Sequence, residues 1–246
     1  MRCDEYQRKQ YSEVFSDESK NYHTFNSSKI KKVVELFEVH ERGKILDIGC
    51  GDGDFSKAIA KKTGASLYGI DISRDCIKKA RSKGIEAKCV DIDGAILPFE
   101  DSLFDAVFCG DTIEHIFDTE KLVSEINRML KPGGYLVISI PNVTAWYNRV
   151  LTLFGYLPVW IEPTSQKYRG TPFVKEGCGH VRAFNKRTLK HFLHDRGFIV
   201  EKMKGAPIIA SDDFGSVQRV LWNTFDPVFS KLVGGSTFII AKARKK

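Results

Sequence analysis

The chain has 246 residues, 42% hydrophobic and 28% charged, with a formal net charge of +7. This is an ordinary soluble profile with enough apolar material for one sizeable core. The opening residues MRCDEYQRKQYSEVF are too polar for a signal peptide. No uncharged run approaches the roughly 18 apolar residues of a membrane-spanning helix, so a cytoplasmic protein is expected.

The positive charge suits an anionic partner such as nucleic acid, a membrane surface or a phosphorylated substrate. Yet the lysines fall in helical patterns such as SRDCIKKARSKG, where Ile77 and Ala80 face inward while Lys78, Lys79, Arg81 and Lys83 stay in water. The charge is therefore assigned to solvated helix faces, and the tail AKARKK to a frayed end. Six cysteines (Cys3, Cys50, Cys76, Cys89, Cys109 and Cys178) are scattered without a CxxC pair and are expected as free thiols. The only ligand-like pair is Cys178 with His180, and two neighbouring donors do not make a metal site, so none is expected.

Residues 1–28 are polar with interspersed aromatics and are expected to form an N-terminal cap of one or two helices. A helix follows in SSKIKKVVELFEVHERG, with Ile30, Val33, Val34 and Phe37 at helical spacing and Gly43 as its stop. KILDIG then has the short apolar run of a buried parallel strand, and DFSKAIAKKTG the pattern of a helix ended by Gly64. The alternation continues through strand SLYGIDI, helix SRDCIKKARSKG, strand IEAKCVDI, strand FDAVFCG, helix TEKLVSEINRML, a stop at KPGG and strand YLVISIP. After Pro141 the rhythm breaks over residues 142–184, rich in aromatics, Pro and Gly. It returns with helix NKRTLKHFLHDRG, strand FIVEKMKG, a second insertion over 207–235 and a last strand STFIIAKA. Such alternation implies an α/β, doubly wound, mostly parallel seven-stranded sheet with an antiparallel last strand, in a single domain over residues 1–246. The N-terminus and the 142–184 insertion are left to build a lid beyond the carboxyl ends of the strands, where ligands bind.

The turn LDIGCGDGDFS, Leu46 to Ser56, carries three alternate glycines and three aspartates. A phosphate-binding P-loop is excluded, because Gly53 is followed by Asp54 and Phe55 instead of Lys-Ser/Thr. A pyrophosphate is disfavoured too, since Asp47, Asp52 and Asp54 would surround it with negative charge and cancel the helix dipole. A ligand with no phosphate and a positive centre reverses that objection. S-adenosylmethionine, with its sulfonium and α-ammonium, is such a ligand.

From this point the chain resembles the seven-stranded, Rossmann-like class I methyltransferases, in their small-molecule, quinone-pathway-like branch. DIGCGDG looks like their cofactor motif, GIDIS and CVDID like the segments at the ends of their second and third strands, and LPFEDSLFDAVFCGDTIEHI and RMLKPGGYLVISIPN like their fourth and fifth strands. The resemblance implies S-adenosylmethionine as cofactor, held by Asp47, Gly49, Cys50, Gly51 and Gly53, with Cys109 at the end of the fourth strand. Asp71 would hold the ribose hydroxyls with Ile72 beside it, and Asp91 the adenine amine with Ile92 against the ring. Aspartate also suits helix caps and turns, so Asp71 and Asp91 retain a structural alternative, as do Asp52 and Asp54 in a first helical turn.

Methyl transfer from a sulfonium needs mainly alignment and exclusion of water, with a general base if the acceptor is a hydroxyl. His115, in DTIEHI, is the candidate base, its pKa being near neutrality, or else a histidine capping that loop; Glu114 is a further candidate. Asn142, His180 and Arg182 are candidates for binding the acceptor, Arg182 through a carboxylate or phosphate, with structural packing the equal alternative for His180 and Arg182. The Pro-Pro-Tyr/Phe pattern of amino-methylating nucleic-acid and protein-glutamine enzymes is missing, as is the Pro-Cys of cytosine-C5 enzymes, which weakens the nucleic-acid and protein readings. A small-molecule acceptor methylated at oxygen is the expectation. The aromatic 142–184 segment is expected to pack as an ordinary lid against the core, since Asn148 and Arg149 break any uniformly apolar face; the alternatives are that it encloses an apolar acceptor or touches a membrane carrying one. A non-catalytic cofactor binder and an NAD-dependent oxidoreductase are the remaining alternatives.

Overall fold

The computed structural model describes residues 27–39, 41–163, 179–208 and 216–246. Almost all of the expected N-terminal cap, the middle of the 142–184 segment, and Cys3 and Cys178 lie outside them. Strands β1 (Lys44–Ile48), β2 (Ser66–Asp71), β3 (Glu86–Cys89), β4 (Phe104–Gly110), β5 (Leu130–Pro141), β6 (Phe198–Ala206) and β7 (Phe238–Lys245) form one sheet in the order β3-β2-β1-β4-β5-β7-β6. β1 sits near the middle because Ile45, Leu46 and Ile48 are apolar on both faces and entirely buried. It pairs in parallel with β2 on one side and β4 on the other. The winding reverses between β1 and β4, which opens a crevice beyond their carboxyl ends. β7 runs antiparallel between β5 and β6, as the last strand was expected to do.

The helices cover both faces: α1 (Ser27–Val34), α2 (Asp54–Thr63), α3 (Arg74–Ser82), α4 (Thr119–Met129), α5 (Trp146–Leu153), α6 (Lys186–Asp195) and α7 (Ser216–Phe229). Their starts follow local chemistry. Ser73 caps α3 by accepting the Cys76 N–H, Asp118 caps α4 by accepting the Lys121 N–H, and Asn185 with Thr188 forms a capping box on α6. α4 lays Leu122, Val123, Ile126 and Met129 on the sheet with no more than 1% of any of them exposed, each worth about 1.5–3 kcal/mol of burial. Among the described residues no helix is long and apolar enough to cross a membrane.

Three expectations are corrected. The tail is not frayed: β7 runs to Lys245, Arg244 reaches Glu201 and Glu38, and Lys242 pairs with Glu38. KPGG does not separate helix from strand, because β5 already begins at Leu130, opposite Phe104, and the register shifts before Tyr135 meets Ala106. The left-handed φ of 74° at Gly133 lies in that irregularity. Lys29, on the basic helix α1, is completely buried, its ammonium on the Asp111 carboxylate and 3.9 Å from the centre of the Phe238 ring.

The described part of the 142–184 segment is held by buried polar side chains. Asn148 is 1% exposed, donates to the carbonyls of Val143 and Val159 and accepts the Val159 N–H at 2.7 Å. Asp226 of α7, also buried, accepts from the Trp146 indole, the Thr237 hydroxyl and the Ile208 N–H. Trp146, Tyr147 and Trp222 pack together over this framework.

Candidate active site

The crevice between β1 and β4 is floored by the glycine turn. Gly49 (φ 72°) and Gly53 (φ 88°) are required by packing: a Cβ at Gly49 would lie 2.2 Å from Thr112 Oγ1, and one at Gly53 would lie 2.3 Å from Ile85 Cδ1. Gly51 (φ 51°) differs, because a Cβ there meets nothing within 4 Å. Its bare backbone faces open space, which suits close approach of a ligand.

Of the three surplus aspartates in the turn, Asp47 is buried and accepts the Ser56 hydroxyl at 2.5 Å. Burial pushes its carboxyl up to about 7, with the Asp71 charge adding to the rise. Asp52 and Asp54 both receive the Lys83 ammonium, at 2.8 and 2.5 Å. The acidity that argued against phosphate is thus partly neutralised from within the chain by a lysine expected to stay in water.

Asp71, at the end of β2, is 7% exposed and accepts the Gly51 N–H at 2.9 Å and the Ser73 N–H at 2.8 Å. Burial pushes its pKa up, and these hydrogen bonds oppose the rise. It lines a cleft of about 460 Å³, open mouth included, together with Gly49, Ile72, Asp91, Ile92, Asp93, Thr112, His115 and Ile116. Six of the sequence candidates therefore meet in one cleft: Gly49, Asp71, Ile72, Asp91, Ile92 and His115. Asp93 and Thr112 were not foreseen. Asp93 accepts the N–H groups of Phe117 and Asp118, and the Thr112 hydroxyl donates toward the Ile48 and Gly110 carbonyls where β1 and β4 end.

Asp47, Cys50 and Gly53 do not line the cleft but build the turn behind it, and Gly51 stands at the open side of that turn. Cys109 is completely buried, and burial pushes its thiol pKa up; its side chain belongs to the core and not to the cleft. Asn142 is also completely buried. Its amide donates to the Ser236 carbonyl at 2.8 Å and its oxygen takes the Thr144 N–H and hydroxyl, so it anchors the segment after β5 and presents nothing to an acceptor. Arg182 is turned to the Phe117 carbonyl, 2.5 Å away, and lies over the Phe117 ring.

His115 ends a short 3-10 turn, Ile113–His115, that follows β4. Its Nδ1 is 3.1 Å from the Gly179 carbonyl. Burial, helped by neighbouring His180, pushes its pKa down to about 4, so the near-neutral titration expected of it is not found. It is neutral at pH 7 but a weak proton acceptor. The segment after 178 is zipped onto the same turn, because the N–H groups of Val181 and Arg182 both donate to the Glu114 carbonyl, at 2.8 and 3.0 Å.

That pairing brings the His180 ring to within 4.8 Å of the His115 ring, centre to centre, with Trp160 on its other side at 5.4 Å. Glu162 accepts the Gly179 and His180 N–H groups and stands 3.5 Å from His180 Nδ1. The Glu114 carboxylate is 2% exposed, and neither oxygen has a hydrogen-bond partner among the described residues. Burial and then Asp111 push its pKa well above the carboxylate range. One ligating atom each from Glu114, His115 and His180 lies within 4.8 Å of the other two. His180 thus meets its ring and carboxylate neighbours from the turn at the end of β4.

A sheet of this order, with β7 reversed and a glycine turn over an acidic cleft at its switch point, defines a Rossmann-like α/β fold. Residues 46–138 match the Methyltransferase domain family. The chain is 33% identical over 209 residues to the demethylmenaquinone methyltransferase of Staphylococcus aureus, covering 78% of this chain and 86% of that protein. It is 38% identical over 107 residues to the ubiquinone biosynthesis O-methyltransferase of Xylella fastidiosa, covering 41% of this chain and 43% of that one. A SAM-dependent methyltransferase of Thermotoga maritima shares the fold with a TM-score of 0.66 at 20% identity, over 98% of this chain and all of that one. The chain belongs to the class I S-adenosylmethionine-dependent methyltransferases, and S-adenosylmethionine is its methyl donor.

Proposed function

We propose that the protein methylates an oxygen of an apolar small molecule, bound between His115 and the aromatic segment that follows β5. The observation that carries this is the shared wall. His115 lines the cofactor cleft and at the same time touches, through Gly179 and His180, the segment bearing Trp160. Acceptor and donor thus have adjoining seats. The names of the two relatives, which concern quinone methylation, support a phenolic or quinol acceptor. An exposed apolar face on α5 and α7, with Val150, Leu153, Phe154, Val228 and Leu232, supports an acceptor that is itself apolar or carried by a membrane surface.

For the donor, the fit rests on the open backbone at Gly51 and the cleft-lining carboxylates. Gly49 and Gly51 would hold the methionine part, Asp71 the ribose hydroxyls, and Asp91 with Ile72 and Ile92 the adenine. S-adenosylmethionine brings a methyl carbon already activated on a sulfonium, so the chain's own work is alignment and exclusion of water. The acceptor oxygen forms the new bond to carbon as the carbon–sulfur bond breaks. The electron pair stays on sulfur, and the hydroxyl proton leaves to solvent.

Calorimetry with S-adenosylhomocysteine and with NAD separates donor classes; binding of NAD alone would overturn the assignment. Incubating cell extract with methyl-labelled cofactor and reading product masses tests the acceptor. A labelled small molecule carrying a new methoxy group is expected. Label confined to protein or nucleic acid would refute it.

A further inference from the structure

We propose that Trp160 determines which acceptor is taken, its indole extending the His180 and His115 rings into a wall for a planar, uncharged aromatic molecule. The backbone under that indole is strained. Ile161 donates its N–H to the Pro158 carbonyl at 3.2 Å, which closes a four-residue turn with Trp160 in third place. Trp160 has φ 82° there, the left-handed region that glycine or asparagine normally fills in such a turn. Among the described residues Arg42, Ser102 and Asp111 are the other non-glycines with positive φ, and none of them is aromatic or reaches 82°. Glycine would relieve the strain, so the indole itself is what the position holds against it.

The turn persists because α5 grips it twice. Asn148, buried, accepts the Val159 N–H at 2.7 Å and donates to the Val159 carbonyl at 3.1 Å. Its neighbour Tyr147, also buried, accepts the indole N–H of Trp160 at 3.0 Å. Consecutive residues of one helix thus fix both the backbone beside Trp160 and the direction of its ring. Strain that is over-determined by its surroundings in this way gathers at ligand-holding positions.

The ring so fixed is half-buried and stands at the end of a row. Its centre is 5.4 Å from that of His180, and His180 is 4.8 Å from His115, which lines the cofactor cleft. Phe238 of β7 lies 6.3 Å from the same indole. The row holds no charge for an anion. Burial pushes both imidazoles down to about 4, so they are neutral at pH 7, and the Glu162 carboxylate stands 3.5 Å from His180 Nδ1. Arg182, two residues further on, is engaged with the Phe117 carbonyl. What remains is a set of ring faces and edges, which favour an aromatic ring over an aliphatic one of the same size. This assignment rests on the methyl-transfer reading above, and it names the acceptor's chemistry: a planar ring without a carboxylate or phosphate beside the methylated oxygen.

The test is oxygen-free calorimetric titration of the full chain, with S-adenosylhomocysteine bound, by 1,4-dihydroxynaphthalene and by its saturated counterpart 1,4-decalindiol. The wild type is expected to bind the aromatic diol about tenfold more tightly than the saturated one. Trp160→Leu should weaken the aromatic diol by about tenfold and leave the saturated diol within about twofold, whereas Trp160→Phe should keep most of the preference. Tyr147→Phe keeps the indole but removes its anchor, so it should cut the preference about threefold and serves where Trp160→Leu does not fold. S-adenosylhomocysteine affinity measured on each variant reports separately that the donor site and the fold are intact. Equal binding of the two diols by the wild type, no binding of the aromatic diol, or a full aromatic preference in Trp160→Leu and Tyr147→Phe overturns the proposal. Adding methyl-labelled cofactor to the same samples tests the reading beneath it: an aromatic diol that binds through Trp160 but gains no methyl would refute oxygen methylation while upholding the wall.

Discussion

Asp71 Oδ2 accepts the Gly51 N–H at 2.9 Å, tying the end of β2 to the one glycine of the turn whose α-carbon faces open space. With Ser73 on its other oxygen, the carboxylate is shared between shaping the turn and lining the cleft. Asp71→Ala is therefore expected to act twice. It leaves two N–H groups without their acceptor, lowering stability by about 1–3 kcal/mol. It also weakens S-adenosylhomocysteine by more than tenfold in calorimetry. An unchanged affinity would remove Asp71 from the donor site.

The glycines of the turn are expected to separate in the same way. Gly49→Ala forces a methyl to 2.2 Å from Thr112 Oγ1, so it should destabilise by about 1–3 kcal/mol or more, seen as a lower urea midpoint. Gly51→Ala meets no neighbour and suffers only the left-handed φ of 51°, roughly 1–2 kcal/mol. Its larger effect should fall on donor affinity. Equal stability losses with equal affinities would contradict this division.

Asp47 makes stability depend on pH. Its carboxyl sits at about 7 in the folded chain against an ordinary 3.8, so the native state retains a proton that the unfolded chain releases. Stability must then fall as pH rises from about 4 to about 7, by up to ~4 kcal/mol from this group. Asp47→Asn keeps an oxygen for the Ser56 hydroxyl and cannot ionise. Urea titrations of both proteins should agree near pH 4 and diverge toward pH 8, with the variant the more stable. Parallel curves would mean that Asp47 titrates normally.

The sheet was legible because strands such as β1 carry apolar residues on both faces (Ile45, Leu46 and Ile48), and the cleft because aspartates stand at the end of β2 and just after β3. What escaped was set by partners distant in sequence. Lys29 looks like any helical lysine until Asp111 arrives beside it from the end of β4. AKARKK looks like a polar tail, yet its cations lie on β7 between two strands and reach Glu38 and Glu201. His180 was singled out for an acceptor, but its neighbours His115 and Glu114 are brought to it by main-chain hydrogen bonds, which leave no periodic trace in the side chains.

Asn148 offers a way to loosen the acceptor side while leaving the donor cleft intact. Its amide joins α5 to residue 159 through two hydrogen bonds, to the Val159 carbonyl and from the Val159 N–H, donates also to the Val143 carbonyl, and none of these partners lines the cofactor cleft. Asn148→Leu keeps the approximate volume and leaves those backbone groups buried without partners, a cost of about 2–4 kcal/mol. The loss should be local, freeing the chain around Val159 and Trp160 while the sheet stays folded. Amide exchange is expected to rise between residues 155 and 163 and to stay unchanged in β1, β4 and β5. S-adenosylhomocysteine affinity should remain within about twofold, while KM for the acceptor rises. If donor binding fell in step with exchange, the two seats would be one cooperative unit and not adjoining ones.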